Sequence, residues 1–365
     1  MATTVNTNFE ATSLTANLPE VVEIATDAAQ LEVNIFVDSR KVFKSVYYPY
    51  NSMVYVRDIR TIVEAAMFER QLVMASLKME VYEPVTQSAQ GNVTVDENGN
   101  YVVTFGSDGS SSPHATVNNV KLVCCCFKTG ASSEDFLGSC FLTTRKSALI
   151  PRNGHLYISN HTKAYAQGSN SALIYYSNPQ VSERISTYNV NLGKMQATTE
   201  KIVTDLLSYG YFKAIIDQAM GTSCLVHGVE YQIGMRRFNI FFTDEKPTET
   251  FIFINAFNME ETAYLYNTTT VKTEVERSEA VCGVRTQFYD ETVKVKHEVE
   301  TAPLTYDEAM WLNQMLTSKL VKRPMSNGET AEVLISDISS EVTDADKELI
   351  RLKFSWKYAD GTERL

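Results

Sequence analysis

The sequence predicts a mainly β chain of the α+β kind: two β-sandwich-like domains with a few short helices. Three observations carry this. Tyr and Phe are abundant, at 19 and 17 residues, against two Trp, and with many Val, Ile and Thr they suit a pleated, half-buried surface. Strand-like runs bounded by turn residues recur at roughly ten- to fifteen-residue spacing, as in sandwiches and barrels. Near the end of the chain, Ile350, Leu352, Phe354, Trp356 and Tyr358 alternate strictly with Arg351, Lys353, Ser355 and Lys357, which is an apolar face on a core and a basic face outward.

The chain has 365 residues, more than one core usually serves, so two domains are expected. An apolar share of 44% with 16 Gly and 9 Pro marks a globular chain. The formal charge of −11 does not attract nucleic-acid phosphates, so no specific nucleic-acid binding is expected. Residues 1–20 are polar, with no basic start before an apolar run, which is not a signal-peptide pattern. No apolar window is long enough for a membrane helix. The six cysteines, three of them consecutive at Cys124–Cys126, lack both a disulfide framework and C-x-x-C spacing. They read as reduced core residues of a protein folded in a reducing cytoplasm.

In chain order, residues 1–30 read as a polar arm, with Val21, Val22 and Ile24 as a short strand. Leu31–Val37 and Val42–Tyr48 form a hairpin about Asp38-Ser39. Asp58 opens a helix whose Ile59, Ile62, Val63, Ala66 and Met67 share one face. Leu72–Tyr82 is extended. Val93 and Val95, then Asn98-Gly99, then Tyr101, Val103 and Phe105 make a hairpin, because Asn-Gly between alternating apolar residues favours the two-residue turn. Val120–Phe127, Phe136–Thr144, Leu149–Ile150, His155–Ser159 and Ala172–Tyr176 read as strands, with a turn at Arg152-Asn153-Gly154. The polar stretch Val181–Gln196 marks the boundary between a domain of residues 31–185 and one of residues 186–365. Ile202, Val203, Leu206 and Leu207 fit a helix that Tyr209-Gly210-Tyr211 interrupts. Tyr231–Thr243 and Thr250–Phe257 read as partner strands about Asp244–Pro247. Ala263–Tyr266, Val271–Val275, Val281–Phe288 and Thr292–Val299 follow as further strands.

The last segment is the clearest. Thr305 and Glu308 form a T-x-x-E capping box, in which each side chain satisfies a backbone N–H that the first turn leaves orphaned. Ala309, Leu312, Met315 and Leu316 recur at helical spacing, giving a helix at 305–318 packed on a C-terminal sheet. Pro324 bars its continuation. Strands 331–338 and 349–358 close the chain, with the acidic loop Ser339–Lys347 before the second.

Chemistry-bearing patterns are weak. His114, His155, His161, His227 and His297 show no H-x-H or H-x-x-x-H spacing, so no metal is expected. The glycine- and serine-rich loop 106–112 lacks the Gly-Lys-Ser/Thr ending of a phosphate loop. Ser223 in Gly-Thr-Ser-Cys lacks the second glycine of a nucleophile elbow. Asp344, Asp346 and Glu348 could meet a calcium ion, but without the EF-hand arrangement; a solvated turn is the plainer reading. Glu260-Glu261 would diverge on a strand. No catalytic residue and no cofactor is assigned. Interaction residues are expected at Asn98, Gly99 and Tyr101 in the hairpin, and at Arg236 and Arg237, which could pair with a partner subunit or simply end a strand.

Three segments carry a resemblance that covers most of the chain: VYVRDIRTIVE at Val54–Glu64 after a Tyr-Tyr-Pro hairpin; FLTTRKSALIPRNGHL at Phe141–Leu156; and LTYDEAMWL at Leu304–Leu312, leading to Ile335-Ser-Asp337 and FSWKYAD at Phe354–Asp360. In order and spacing they resemble a family of uncharacterised proteins of phages and prophages of gut bacteria, set among tail-tip and baseplate components of long-tailed phages. The resemblance implies a role similar to distal tail proteins: a virion structural subunit without enzymatic activity. It would self-assemble into a cyclic homo-oligomer such as a hexamer and dock other tail proteins. A receptor- or carbohydrate-binding module contacting host surface glycan is the alternative, because tyrosine suits both sugars and protein interfaces.

Overall fold

The fold follows from two requirements: an alternating strand must bury one face, and its backbone must find a neighbour. The computed structural model describes residues 3–83, 92–95, 101–104, 112–166, 169–193, 199–339, 342 and 350–361. It is mainly β with a helical minority. The chain divides into two compact units, Met1–Glu134 and Asp135–Leu365.

The first unit contains β1 (Thr4–Val5), β2 (Thr12–Leu14), β3 (Val21–Ala25), β4 (Leu31–Val37), β5 (Arg40–Tyr47), β6 (Met53–Arg57), α1 (Ile59–Glu69), β7 (Met74–Tyr82), β8 (Asn92–Val95), β9 (Tyr101–Thr104) and β10 (Ala115–Val123). A three-stranded sheet, β1-β3-β6, and a five-stranded sheet, β2-β10-β7-β4-β5, share one apolar core with α1. That is a sandwich-like arrangement. Asp38 and Ser39 both take positive φ, +47° and +65°, so the expected turn between β4 and β5 is a two-residue one whose twist matches its strands. Ile59, Val63, Ala66 and Met67 are buried as the helical spacing predicts. The expected arm at 1–30 is instead built into both sheets through β1, β2 and β3. Strands of two to five residues are too short to show a period.

Helix α2 (Ser133–Ser139) lies where the sequence suggested the start of a strand at 136–144. Glu134 and Asp135 sit in its first turn, where carboxylates complement the positive end of the helix dipole.

The second unit continues with β11 (Ser147–Pro151), β12 (His155–His161), α3 (Thr162–Ala166), β13 (Ser171–Asn178), β14 (Ser182–Asn191), β15 (Ile202–Ser208), α4 (Tyr209–Met220), β16 (Leu225–Ile233) and β17 (Arg236–Thr243). One sheet runs β11-β17-β16-β13-β14, and β12 pairs with β15. They share a core with Phe212 and Ile216 of α4. The expected domain boundary near 181–196 therefore falls in part on β14, the edge strand of this sheet. An edge strand exposed along Arg184–Thr187 has little apolar alternation and reads like a linker. The helix expected at 202–207 is β15, paired along its length with β12. Tyr209-Gly210-Tyr211 starts α4 rather than breaking a helix, because the Ser208 hydroxyl accepts from the Tyr211 N–H at 3.2 Å. Gly234, at φ +61°, lets β16 turn into β17 through Gly234-Met235. The single strand expected at 231–243 is thus two.

The remaining elements are β18 (Glu249–Ile254), β19 (Glu260–Leu265), β20 (Asn267–Cys282), β21 (Arg285–Thr301), α5 (Tyr306–Thr317), β22 (Val321–Pro324), β23 (Thr330–Ser339) and β24 (Lys353–Tyr358). They form a seven-stranded antiparallel sheet, β19-β18-β22-β23-β24-β21-β20. β17 and β18, expected to pair, lie in different sheets. The closing strand expected at 349–358 is shorter, with Ile350 bridging Leu304 beforehand. All five of its apolar alternates are buried, at 6% exposure or less. Ala309, Trp311, Leu312, Met315 and Leu316 of α5 pack in the same core as Phe354 and Trp356. Each large side chain buried there contributes about 1.5–3 kcal/mol.

The capping box is formed in full: the Thr305 hydroxyl accepts from the Glu308 N–H, and Glu308 accepts from the Thr305 N–H at 3.0 Å. Thr305→Ala should cost about 1 kcal/mol of unfolding free energy. Both tryptophans of the chain, Trp311 and Trp356, lie in this core. Tryptophan fluorescence in a urea titration therefore reads its loss directly.

Candidate functional site

β20 and β21 carry the feature that alternation could not place. The sequence showed three separate runs, 271–275, 281–288 and 292–299. The structure joins them into one hairpin of 16- and 17-residue strands, closed at Gly283-Val284 with Gly283 at φ +67°. β24 pairs with β21 only from His297 to Glu300. From Arg285 to Lys296, among the described strands, β21 pairs with β20 alone. At about 3.4 Å per residue this segment reaches roughly 40 Å.

The two faces of the hairpin differ. Directly paired residues point the same way, so Ile335, Trp356, His297 and Val271 form one row across β23, β24, β21 and β20. Trp356 is fully buried and the His297 ring stacks on it at 3.9 Å, whereas Val271 is 57% exposed. The core-facing side of the sheet thus runs outward along the hairpin with its described side chains exposed. Val275 opposite Val293, then Phe288 and Val281, continue it. The Arg277 guanidinium lies 5.1 Å from the Phe288 ring centroid and its Nε donates to Glu291 at 2.8 Å. The opposite face is charged: Lys294 pairs with Glu276 and Lys272 with Glu298, each at 2.7 Å. A register shift after Ser278 leaves Tyr289, 71% exposed, without a partner residue in the β20 register.

A smaller aromatic patch lies in the first unit. Tyr48, Tyr50 and Tyr55 are exposed beside the turn at Asn51-Ser52.

The residues expected to mediate interaction are placed as follows. Tyr101 lies on β9, opposite Val95 of β8, as a hairpin requires. Asn98 and Gly99 lie outside the described residues, as do the loop 105–111 and Asp344, Asp346 and Glu348. Arg236 turns inward. Its guanidinium donates to the carbonyl oxygens of Phe141, Thr143 and Arg145 at 3.4, 3.2 and 3.0 Å, and sits 5.2 Å from the Phe141 ring. Burial pushes its pKa down from the ordinary value. Arg237 is the surface residue of the two, paired with Glu230 of its own chain at 3.2 Å. The partner-subunit pair expected for Arg236 gives way to a clamp on residues 141–145, because the carbonyls of an irregular segment need donors.

The clamp is one side of a buried polar network. Arg145, 7% exposed, donates to the carbonyls of Ser147 and Thr262 and stacks 3.9 Å over Trp311. Burial lowers its pKa to about 10, with Glu261 opposing the shift, so it stays charged at neutral pH. The Glu261 carboxylate accepts from Trp311 Nε1 and Asn255 Nδ2. Glu260 is exposed and Glu261 buried, so the adjacent carboxylates diverge as expected.

Among the described residues no group of three or more His, Cys, Asp or Glu side chains is arranged to hold a metal ion, and no helix is long and apolar enough to cross a membrane. Comparison with family models, with curated proteins and with solved structures returned no match for this chain. Arg236→Leu, which strands three carbonyls, should destabilise the second unit by about 3 kcal/mol. Arg237→Ala should change its stability by less than about 0.5 kcal/mol. Urea titrations followed by tryptophan fluorescence separate the two roles.

Proposed function

We propose that the protein is a structural component of a phage tail: a tail-tip or baseplate ring subunit, similar in role to distal tail proteins. It works by self-assembly and by docking neighbouring tail proteins, without catalysis. The observation that carries this reading is the hairpin β20–β21, whose face, rich in exposed apolar side chains, continues the core face of the sheet with none of the described elements over it. An isolated two-stranded ribbon is marginal in water, and an exposed apolar face of this extent marks an interaction surface. A second copy of the chain is the occupant this reading requires, since a projecting arm received by the next subunit makes a head-to-tail contact that can close into a ring. The resemblance of the sequence to tail-tip proteins supports the same reading.

The exposed Tyr48, Tyr50 and Tyr55 support a second reading, a module that binds host-surface glycan through stacked tyrosines. A glycan array discriminates: binding lost in a Tyr48→Ala, Tyr50→Ala double variant favours it, and a flat array removes it.

Light scattering with negative-stain imaging tests the first reading. Closed rings of one size are expected from the full chain. Replacing residues 275–293 by Asn-Gly, so that Glu274 and Lys294 flank a two-residue turn, should give a folded monomer. The milder pair Val275→Lys and Phe288→Glu should do the same, because both side chains are exposed in the single chain. Rings that survive both changes would remove the hairpin from assembly, and absence of the protein from purified particles would remove the tail role.

A further inference from the structure

A groove in the second unit holds a carboxylate that the hairpin does not use. Asp205 lies midway along β15, opposite Ile158 of β12. Its Oδ2 accepts two phenol hydrogen bonds, from Tyr165 of α3 at 2.8 Å and from Tyr231 of β16 at 2.7 Å. Both tyrosines are buried, at 7% and 3% exposure. Burial and the neighbouring Asp205 push both phenols up, so both remain donors. Among the described residues nothing donates to Oδ1. Asp205 lines a groove of about 460 Å³ together with Leu192, Leu206, Leu207, Tyr211 and Ile233. None of its described lining residues is basic.

These features select a ligand class. A carboxylate removed in part from water, with one oxygen committed and the other without a donor among the described residues, gains most from a cation that also donates a hydrogen bond. The apolar walls suit an aliphatic stem, and the half-exposed ring of Tyr211 gives a cation a π face at the rim. A sugar fits less well. It needs several donors and acceptors, and the Tyr165 and Tyr231 hydroxyls are already spent on Asp205. The volume leaves room for a ligand of side-chain size.

We infer that the Asp205 groove is a binding site for an alkyl-ammonium or alkyl-guanidinium group, with Asp205 as the charge partner and Tyr165 and Tyr231 as the residues that fix its carboxylate. Such a group is borne by a lysine or arginine side chain of a docking protein, or by a free amine. The site is independent of the hairpin and of the tail reading.

Saturation-transfer NMR on the full chain tests it with four probes: Nα-acetyl-arginine methylamide, Nα-acetyl-lysine methylamide, agmatine and methyl β-glucoside. Transfer to the methylene protons of the cationic probes is expected, with weakening by about tenfold in Asp205→Asn, the worth of one charge-assisted hydrogen bond. Stronger transfer to the two amino-acid amides assigns a protein side chain; stronger transfer to agmatine assigns a free amine. Tyr211→Ala changes a half-exposed rim residue and leaves the buried phenols in place, so it reports even where Asp205→Asn fails to fold; weaker transfer is expected there too. Transfer that ignores both variants, no transfer to any cation, or preferential transfer to the glucoside overturns the assignment.

Discussion

An apolar sheet face has to be covered, and in the seven-stranded sheet the cover runs out. Over β18, β22, β23 and β24 the side chains of α5 complete the core, and Phe251, Phe354 and Trp356 meet edge to face at ring distances of 5.9 to 6.2 Å. One row further out, His297 still stacks on Trp356. Beyond it Val271, Val275 and Val293 face water. The same alternation that builds the core builds the uncovered stripe. The period of a strand carries no instruction to stop where the helix above it stops.

That constraint gives the hairpin its character. Its charged face is satisfied within the chain by cross-strand pairs, each of small worth because both partners are solvated. On its other face, beside the Arg277–Glu291 pair, the apolar side chains stay exposed. Burying the stripe against another protein would remove apolar surface from water at about 25 cal/mol per Å², and would order a ribbon that is marginal alone. The base is held more firmly, by the β24 pairing. The result is an arm anchored at one end and free to be received at the other.

Burial in the second unit is also managed by polar groups. Arg236, Arg145 and Glu261 hold irregular backbone and an indole N–H inside the fold, meeting carbonyls and an N–H that would otherwise be buried without partners. Asp205 with its two phenols uses the same chemistry with one difference: Asp205 also lines a groove.

What the sequence determined by itself was local. The Thr305–Glu308 box and the Asp38-Ser39 turn are set by residues within a few positions of each other and are present as read; so are the buried apolar alternates Ile350 to Tyr358, though the strand begins only at Lys353 and Ser355 is buried with them, and the apolar face of α1 apart from the half-buried Ile62. The mainly β class was legible for the same reason. Tertiary structure decided the rest. Ile202 to Leu207 fits a helical spacing, yet pairs as a strand because β12 offers a ladder along its whole length. Arg236 and Arg237 look alike in sequence, but one meets three carbonyls from a segment some ninety residues away and the other pairs with Glu230 at the surface. The three runs at 271–299 show strands, but not that they form one ribbon reaching past its sheet. Periodicity records which face of a strand is apolar; only the packed fold decides whether anything lies over it.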